Sequence, residues 1–275
     1  MKKKILITGS TDGIGLETAK TLASLGHHLI LHGRNPSKLK KTEKLLSALP
    51  GGAIVESHVA DLSDMADVEA LAKSVAKKHK KLDVLINNAG VYAVTDVVTE
   101  DGLDVRFVVN TIAPYLLTRR LLPLLGPSGR VVNLSSAAQS PVNLNALAGQ
   151  GRRLSDDVAY AQSKLALTMW SRSMALELNS GGPAIIAVNP GSLLASKMVK
   201  EAYGVDGHDI QIGADILSRA ALSDEFADAS GQYFDNDQGR FSSPHRDALD
   251  PRKSQEIVRS IENVLAKINS DPKQS

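Results

Sequence analysis

The sequence predicts a single-domain α/β protein built on a doubly wound parallel sheet with helices on both faces. Three observations carry this expectation. Short apolar runs alternate with longer amphipathic ones along the 275 residues, a glycine-rich turn follows the first run, and no linker or internal repeat divides residues 1–275. Strand runs fall at 5–7, 28–31, 53–59, 84–86, 130–134 and 184–188, with a short last one at 232–234. Helical patterns occupy 14–25, 36–49, 65–79, 103–125 and 157–179. Less regular ones follow at 195–202 and 212–222, and Pro251, favoured in a first helical turn, opens a helix over 251–268. Residues 235–250, rich in Asp, Gly, Ser and Pro, read as loop, and 270–275 as a frayed tail. Right-handed crossovers between such strands place the ligand outside their carboxyl ends.

Composition excludes several classes. With 32 basic and 30 acidic side chains the net charge is +2, and 43% hydrophobic with 23% charged residues is the balance of a soluble globular protein. A nucleic-acid groove needs a basic stripe and stacking aromatics, but aromatic residues make up only 4%. The basic runs Lys2, Lys3, Lys4 and 77–81 sit at a strand start and a helix end, where they are solvated and where the second complements the helix dipole. Cysteine is absent, so no disulfide, thiolate metal site or catalytic thiol exists, and no metal site is expected. No apolar run reaches the length of a signal core or a membrane span, which points to a cytoplasmic protein with no membrane partner.

The first candidate site is Thr8-Gly9-Ser10-Thr11-Asp12-Gly13-Ile14-Gly15, placed where strand one turns into helix one. Glycine there lets the backbone approach a pyrophosphate while the helix N-terminus supplies amide hydrogens. The spacing is Gly-x-x-x-Gly-x-Gly, and no Lys-Ser/Thr follows, which excludes a mononucleotide P-loop. A tight chain reversal with no ligand is the plainer alternative. Strand two ends in His32-Gly33-Arg34-Asn35, with glycine where a carboxylate would accept a ribose hydroxyl and with Arg34 suited to a 2′-phosphate. NADP (NADPH) is therefore expected ahead of NAD, although Asp12 lies near the same phosphate and Arg34 could be simply solvated.

Tyr160 and Lys164 stand four apart in the 157–179 pattern and so share a helix face. A nearby ammonium favours the phenolate and lowers a pKa that is ordinarily about 10. By itself such a pair is usually chance. Its neighbours change that: Thr8 to Gly15, Asp61-Leu62, Asn87-Asn88-Ala89-Gly90, Asn110, Ser135-Ser136 and Asn189-Pro190-Gly191 occur in order, each at a strand end or on a helix. The chain resembles the short-chain dehydrogenase/reductase family over nearly its whole length.

That resemblance implies a Rossmann-like fold and an oxidoreductase interconverting a ketone or aldehyde and an alcohol. It implies Tyr160 as general acid or base, Lys164 on the nicotinamide ribose, Ser136 on the substrate oxygen and Asn110 holding a water that relays protons. Cofactor contacts are implied for Gly9, Ser10, Thr11, Asp12, Gly13, Ile14, Gly15, Arg34, Asn35, Asp61, Leu62, Asn88, Ala89, Gly90, Pro190, Gly191, Ser192 and Leu193. Plainer roles stay open: Asp61 as a helix cap, Asn87 and Asn110 as ties, and Ser135 rather than Ser136 facing the substrate.

Ser136 and Tyr160 lie farther apart than in many members of the family. The added stretch 139–158, with Gly33-Arg34, resembles the retinol dehydrogenase and protochlorophyllide reductase-like branch. Residues 139–158 and 193–222 are expected to form the substrate wall or lid, and Ser196 is near where the family contacts the carboxamide. The family implies a homodimer or homotetramer through the long helices, with a monomer left open by the added stretch. A silent dinucleotide-binding redox sensor is the alternative from another class, and a methyltransferase or flavoprotein would leave the Tyr–Lys pair unexplained.

Overall fold

The computed structural model describes residues 1–195, 204 and 206–270. Its eight-stranded sheet has the order β3-β2-β1-β4-β5-β6-β7-β8. The strands are β1 (Lys4–Ile7), β2 (His28–Gly33), β3 (Ile54–Val59), β4 (Leu82–Asn87), β5 (Leu125–Leu134), β6 (Ala184–Asn189), β7 (Tyr233–Asp235) and β8 (Arg240–Ser242). All neighbours pair in parallel except β7 with β8. The chain winds outward through β2 and β3, then returns to place β4 on the other side of β1, so the strand order reverses between β1 and β4. That reversal opens a crevice at the carboxyl ends of the strands.

Strand alternation divides the core between the two faces. Ile5, Ile7, Leu29, Leu31, Val84 and Ile86 point to α1 (Gly13–Ser24), α2 (Pro36–Ser47) and a later helix over Gln211–Leu222. Leu6, Ile30, Leu85, Val131 and Ile185 point the other way, to α3 (Met65–Lys78), α4 (Val105–Phe107), α5 (Ala113–Leu121) and the long helix Asp156–Leu178. The central strands β1, β2, β4 and β6 are buried on both faces, as their continuous apolar runs require. Each such buried side chain contributes roughly 1.5–3 kcal/mol. The short helix Leu144–Leu147 is α6, Asp156–Leu178 is α7, Gln211–Leu222 is α8 and Pro251–Ser270 is α9.

Three expectations need correction. The run 103–125 is not one helix: Asp104 caps α4, a π turn spans Val108–Ile112, α5 ends at Leu121, and Leu125 already begins β5. Pro114 has no N–H to return to the Asn110 carbonyl, and the wide turn sits immediately before α5. The expected loop 235–250 contains β8 and a 3-10 turn at Arg246–Leu249. Phe241 drives that hairpin, its ring packing 5.1 Å from Phe234 and 5.2 Å from Phe226. Ser270 closes α9 rather than opening the tail. The remaining tail, 271–275, and all but the first residue of the expected helix 195–202 lie outside the described residues.

No helix of the described residues is long and apolar enough to cross a membrane. Helix α9 packs along α7 and is tied to α5, where Tyr115 donates to Glu262 Oε1 at 2.8 Å. The chain's own C-terminal helix thus covers part of the long-helix face proposed for self-association.

Candidate active site

A cavity of about 530 Å³ lies at the strand-order reversal. Its floor joins two loops that are 80 residues apart in the chain. Asn88 Nδ2 donates to Thr8 O at 2.9 Å and to Gly9 O at 3.0 Å, and Thr8 Oγ1 accepts from Asn88 N and Ala89 N at 3.0 and 3.1 Å. This contact is possible only without side chains at two glycines. A Cβ on Gly15 would lie 2.3 Å from Gly9 O, and Gly9 itself has φ +65 with Ala89 Cα 2.9 Å from where its Cβ would stand. Asp12 accepts from Gly13 N at 2.9 Å and caps α1, whose positive end faces the cavity.

Of the sequence-expected contacts, Gly9, Thr11, Asp12, Gly13, Ile14, Arg34, Asn35, Asp61, Leu62, Asn88, Ala89, Gly90, Tyr160, Lys164 and Pro190 line the cavity. Ser10 does not. It is fully buried and exchanges hydrogen bonds with the main chain of His32, its Oγ donating to His32 O at 3.1 Å and accepting from His32 N at 3.2 Å. Gly15, Asn110, Ser136, Gly191, Ser192 and Leu193 also stand behind or beside the lining.

At the β2 end, a Cβ on Gly33 would come 2.8 Å from Thr11 Cγ2, so glycine keeps the two loops together. Arg34 is exposed, and Asn35 caps α2 by accepting from Lys38 N at 2.9 Å. That cap brings Lys38 into the lining, its Nζ 3.2 Å from Asp12 Oδ2. Lys38 escaped the sequence argument, though its place in the first turn after Arg34 was the available signal. His32 was missed as well. It accepts from Gly9 N at 3.2 Å through Nδ1 and meets Ala60 O at 3.0 Å through Nε2, a pair of contacts that selects the Nε2–H tautomer. Burial pushes its pKa down to about 4, so the ring is a neutral wall. Asp61 does not cap α3; Asp64 does, accepting from Ala66 N at 2.8 Å.

At the β5 end, α7 presents Tyr160 and Lys164 one turn apart, with Nζ 5.6 Å from the phenol ring centre. Lys164 is buried, donates to Leu134 O at 2.8 Å, and has its pKa lowered by burial to about 8. The Tyr92 ring, unnoticed in the sequence, packs 5.0 Å from that of Tyr160. Asn110 lies behind this pair. Its Oδ1 accepts from Val91 N at 2.8 Å, and its Nδ2 donates to Val91 O at 2.9 Å and Ser163 Oγ at 3.0 Å. Ser135 turns inward, bonded to Thr168 Oγ1 at 2.7 Å. Ser135 is nonetheless on the cavity lining, whereas Ser136, the second residue past β5, is half-buried outside it, with Oγ accepting from Ala138 N at 3.1 Å.

The described residues of the two expected lid segments pack mostly as framework. No residue of 139–158 lines the cavity. Gln139 bridges Ser136 O and His245 N at 2.9 and 3.1 Å, Asn143 N donates to Gln162 Oε1 at 3.0 Å, and Leu147 is fully buried in the α7 core. Within 193–222, α8 packs on α1 with Ile216, Leu217 and Ala220 buried, so it is a layer of the domain. Ser192 is held by Asp237, donating through N at 2.8 Å and Oγ at 2.6 Å. Ser196 lies outside the described residues.

A doubly wound sheet with a glycine turn at its strand-order reversal, and a Tyr–Lys pair across the crevice, defines a dinucleotide-binding oxidoreductase class. Residues 3–204 match the family model for short chain dehydrogenase. The chain is 34% identical to mouse (Mus musculus) retinol dehydrogenase 12 over 245 residues, covering 84% of this chain and 77% of that protein. It is 29% identical to human (Homo sapiens) retinol dehydrogenase 13 over 260 residues, covering 88% and 78%. Among solved structures, an uncharacterized protein from Mycobacterium paratuberculosis superposes with a TM-score of 0.78 at 28% identity, covering 95% of this chain and 92% of that one. A short chain dehydrogenase from Shigella flexneri complexed with NADP gives 0.67 at 28% identity, covering 85% and 96%. The chain belongs to the short-chain dehydrogenase/reductase family, in its retinol dehydrogenase-like branch.

Proposed function

We propose that the protein is an NADP-dependent oxidoreductase that interconverts a ketone or aldehyde and an alcohol. The observation that carries the proposal is the buried ammonium of Lys164 one turn from the Tyr160 phenol, in the same cavity as the glycine turn. The cavity fits a nicotinamide dinucleotide: the close approach at Gly9 and the α1 N-terminus suit a pyrophosphate, and the cations of Arg34 and Lys38 suit a 2′-phosphate. When bound, that group supplies or accepts the hydride.

The chain's own residues manage the proton and the geometry. Tyr160 donates its hydroxyl proton to the carbonyl oxygen in reduction and takes it back in oxidation. Lys164, a cation in a dry site, favours the phenolate state of its neighbour. Ser136 accepts from Ala138 N and keeps its hydroxyl proton for the substrate oxygen. Asn110 ties the Val91 loop to α7 and so holds Tyr160 in register. Val91, Tyr92, Val94 and Val109 give the catalytic end apolar walls suited to a substrate with an apolar body.

Tyr160→Phe tests the proposal. Turnover of NADPH against a carbonyl panel should fall about a thousandfold. Dinucleotide binding, followed by NADPH fluorescence, should stay unchanged. Wild-type turnover in the variant would overturn the role assigned to Tyr160, and dinucleotide binding with no turnover in the wild type would favour a silent sensor.

A further inference from the structure

The opposite end of the sheet holds a second cluster of reactive side chains, far from the crevice in topology. His28 opens β2, Glu56 lies on β3 beside it, and His79 follows the last turn of α3. Composition argued against a metal site because cysteine is absent, but these three residues are brought together only by the fold. One nitrogen of each histidine and a carboxylate oxygen of Glu56 lie within 4.8 Å of one another. His28 Nε2 and His79 Nε2 both approach Glu56 Oε1 at 2.7 Å.

Hydrogen bonding does not account for the arrangement. His28 makes a bond to Glu56 Oε1, but His79 Nε2, on a side chain only 5% exposed, approaches the same oxygen without hydrogen-bond geometry. A buried nitrogen aimed into a cluster without a partner is disfavoured by about 1–3 kcal/mol. The rings of His28 and His79 meet edge to face with centres 5.5 Å apart, and their Nε2 atoms converge on the same carboxylate oxygen.

We propose that His28, Glu56 and His79 form a binding site for a divalent first-row transition metal of the zinc class, with water from the partly exposed His28 side completing the shell. Two imidazoles and one carboxylate are a recurrent donor set for zinc at about 2.0–2.2 Å, and imidazole selects zinc, nickel and copper over magnesium and calcium. Tetrahedral coordination at that length separates ligand atoms by about 3.3 Å, so small side-chain rotations convert the present cluster into a metal shell. Lys78 lies against Glu56 and competes with a cation for the carboxylate, but its side chain is 59% exposed and can turn into water. A bound ion would tie β2, β3 and α3 together at the end of the sheet remote from the proposed chemistry.

The test uses tag-free full-length protein stripped with a chelator and titrated with zinc chloride by calorimetry, with thermal unfolding as a second readout. Zinc should bind one to one and raise the melting midpoint. His28→Gln, His79→Gln and Glu56→Gln should each weaken binding at least about tenfold while leaving NADPH binding unchanged. His28 is partly exposed, so His28→Gln decides the matter even where His79→Gln fails to fold. Absence of one-to-one binding, or wild-type affinity in His28→Gln, would overturn the proposal. NADPH binding is read separately, so failure here leaves the crevice assignment standing.

Discussion

The two arms of the crevice make an instructive pair. On the β2 side, the helix caps follow from residues close in sequence, Asp12 capping the helix that follows it and Asn35 the next, while Lys38 and His32 reach back to the glycine turn. On the β5 side, the wall is a buried polar network between distant elements. Asn87 Nδ2 donates to Thr118 Oγ1 at 3.1 Å and to Asn133 Oδ1 at 2.7 Å, and Asn133 Nδ2 donates to Ser171 Oγ at 2.7 Å. Thr111 Oγ1 and Thr168 Oγ1 bond the main chain of α7 at Ser163 and Lys164, at 2.8 and 2.9 Å. The first arm presents donors and charge to solvent. The second spends stability on a rigid polar wall, because every buried partner left unpaired is costly. Substitutions on the first arm should therefore change affinity with little effect on folding, whereas those on the second should change folding itself.

The largest expected effect lies on the second arm. Arg106 is fully buried, with Nε 2.8 Å from Asp104 Oδ1 and NH2 2.6 Å from Asp104 Oδ2, and it also pairs with Asp156 at the start of α7. Arg106→Met keeps the volume but leaves a mostly buried Asp104 without its cation. A loss of about 3–5 kcal/mol in urea unfolding is expected. A loss below about 1 kcal/mol would mean that the polar wall does not depend on this anchor, and the contrast between the arms would fail.

A smaller effect is expected at Lys164, where the sign with pH is informative. Its pKa is about 8 in the fold against 10.5 ordinarily, because burial disfavours the ammonium. Between these values the unfolded chain binds more protons, so stability of the cofactor-free protein should rise with pH from about 8 towards 10. Below pH 8 the whole penalty, about 3 kcal/mol, is present. Lys164→Met should abolish the rise and be the more stable protein at pH 7, while losing turnover. An unchanged slope in the variant would place the titrating group elsewhere.

The contrast also explains which parts were legible in the sequence. The glycine turn and Arg34 are written in consecutive residues, and Tyr160 and Lys164 in one helical turn, but the pair gained meaning only from the motifs that accompany it in order along the chain. Beyond β5, the bond from Ser135 to Thr168 Oγ1 of α7 is a long-range contact that spacing did not reveal. Tyr92, β8 and the destination of 139–158 depend on contacts across the chain. Phe241 is one apolar residue in a polar run, too short a signal for strand periodicity, yet its aromatic neighbours make it a strand. The π turn had a local sign in Pro114, four residues after Asn110, which a continuous amphipathic pattern concealed.

The smallest effect should appear on the first arm and completes the comparison. Arg34 and Lys38 are both exposed, and Lys38 is held 3.2 Å from Asp12, which neutralises the acidic residue that would otherwise oppose a 2′-phosphate. Charge-assisted bonds to a phosphate contribute about 1.5–3 kcal/mol when dry and less in this solvated position. Arg34→Ala should weaken NADPH about tenfold, and adding Lys38→Ala should weaken it further, with NADH affinity unchanged. Folding stability should stay within about 0.5 kcal/mol, since neither side chain is buried. Raising the salt should shrink the difference between NADPH and NADH in the wild type and have little to shrink in the double variant. Equal weakening of both dinucleotides would assign these cations to the shared pyrophosphate, and the local arm would then read the backbone of the cofactor and not its 2′ position.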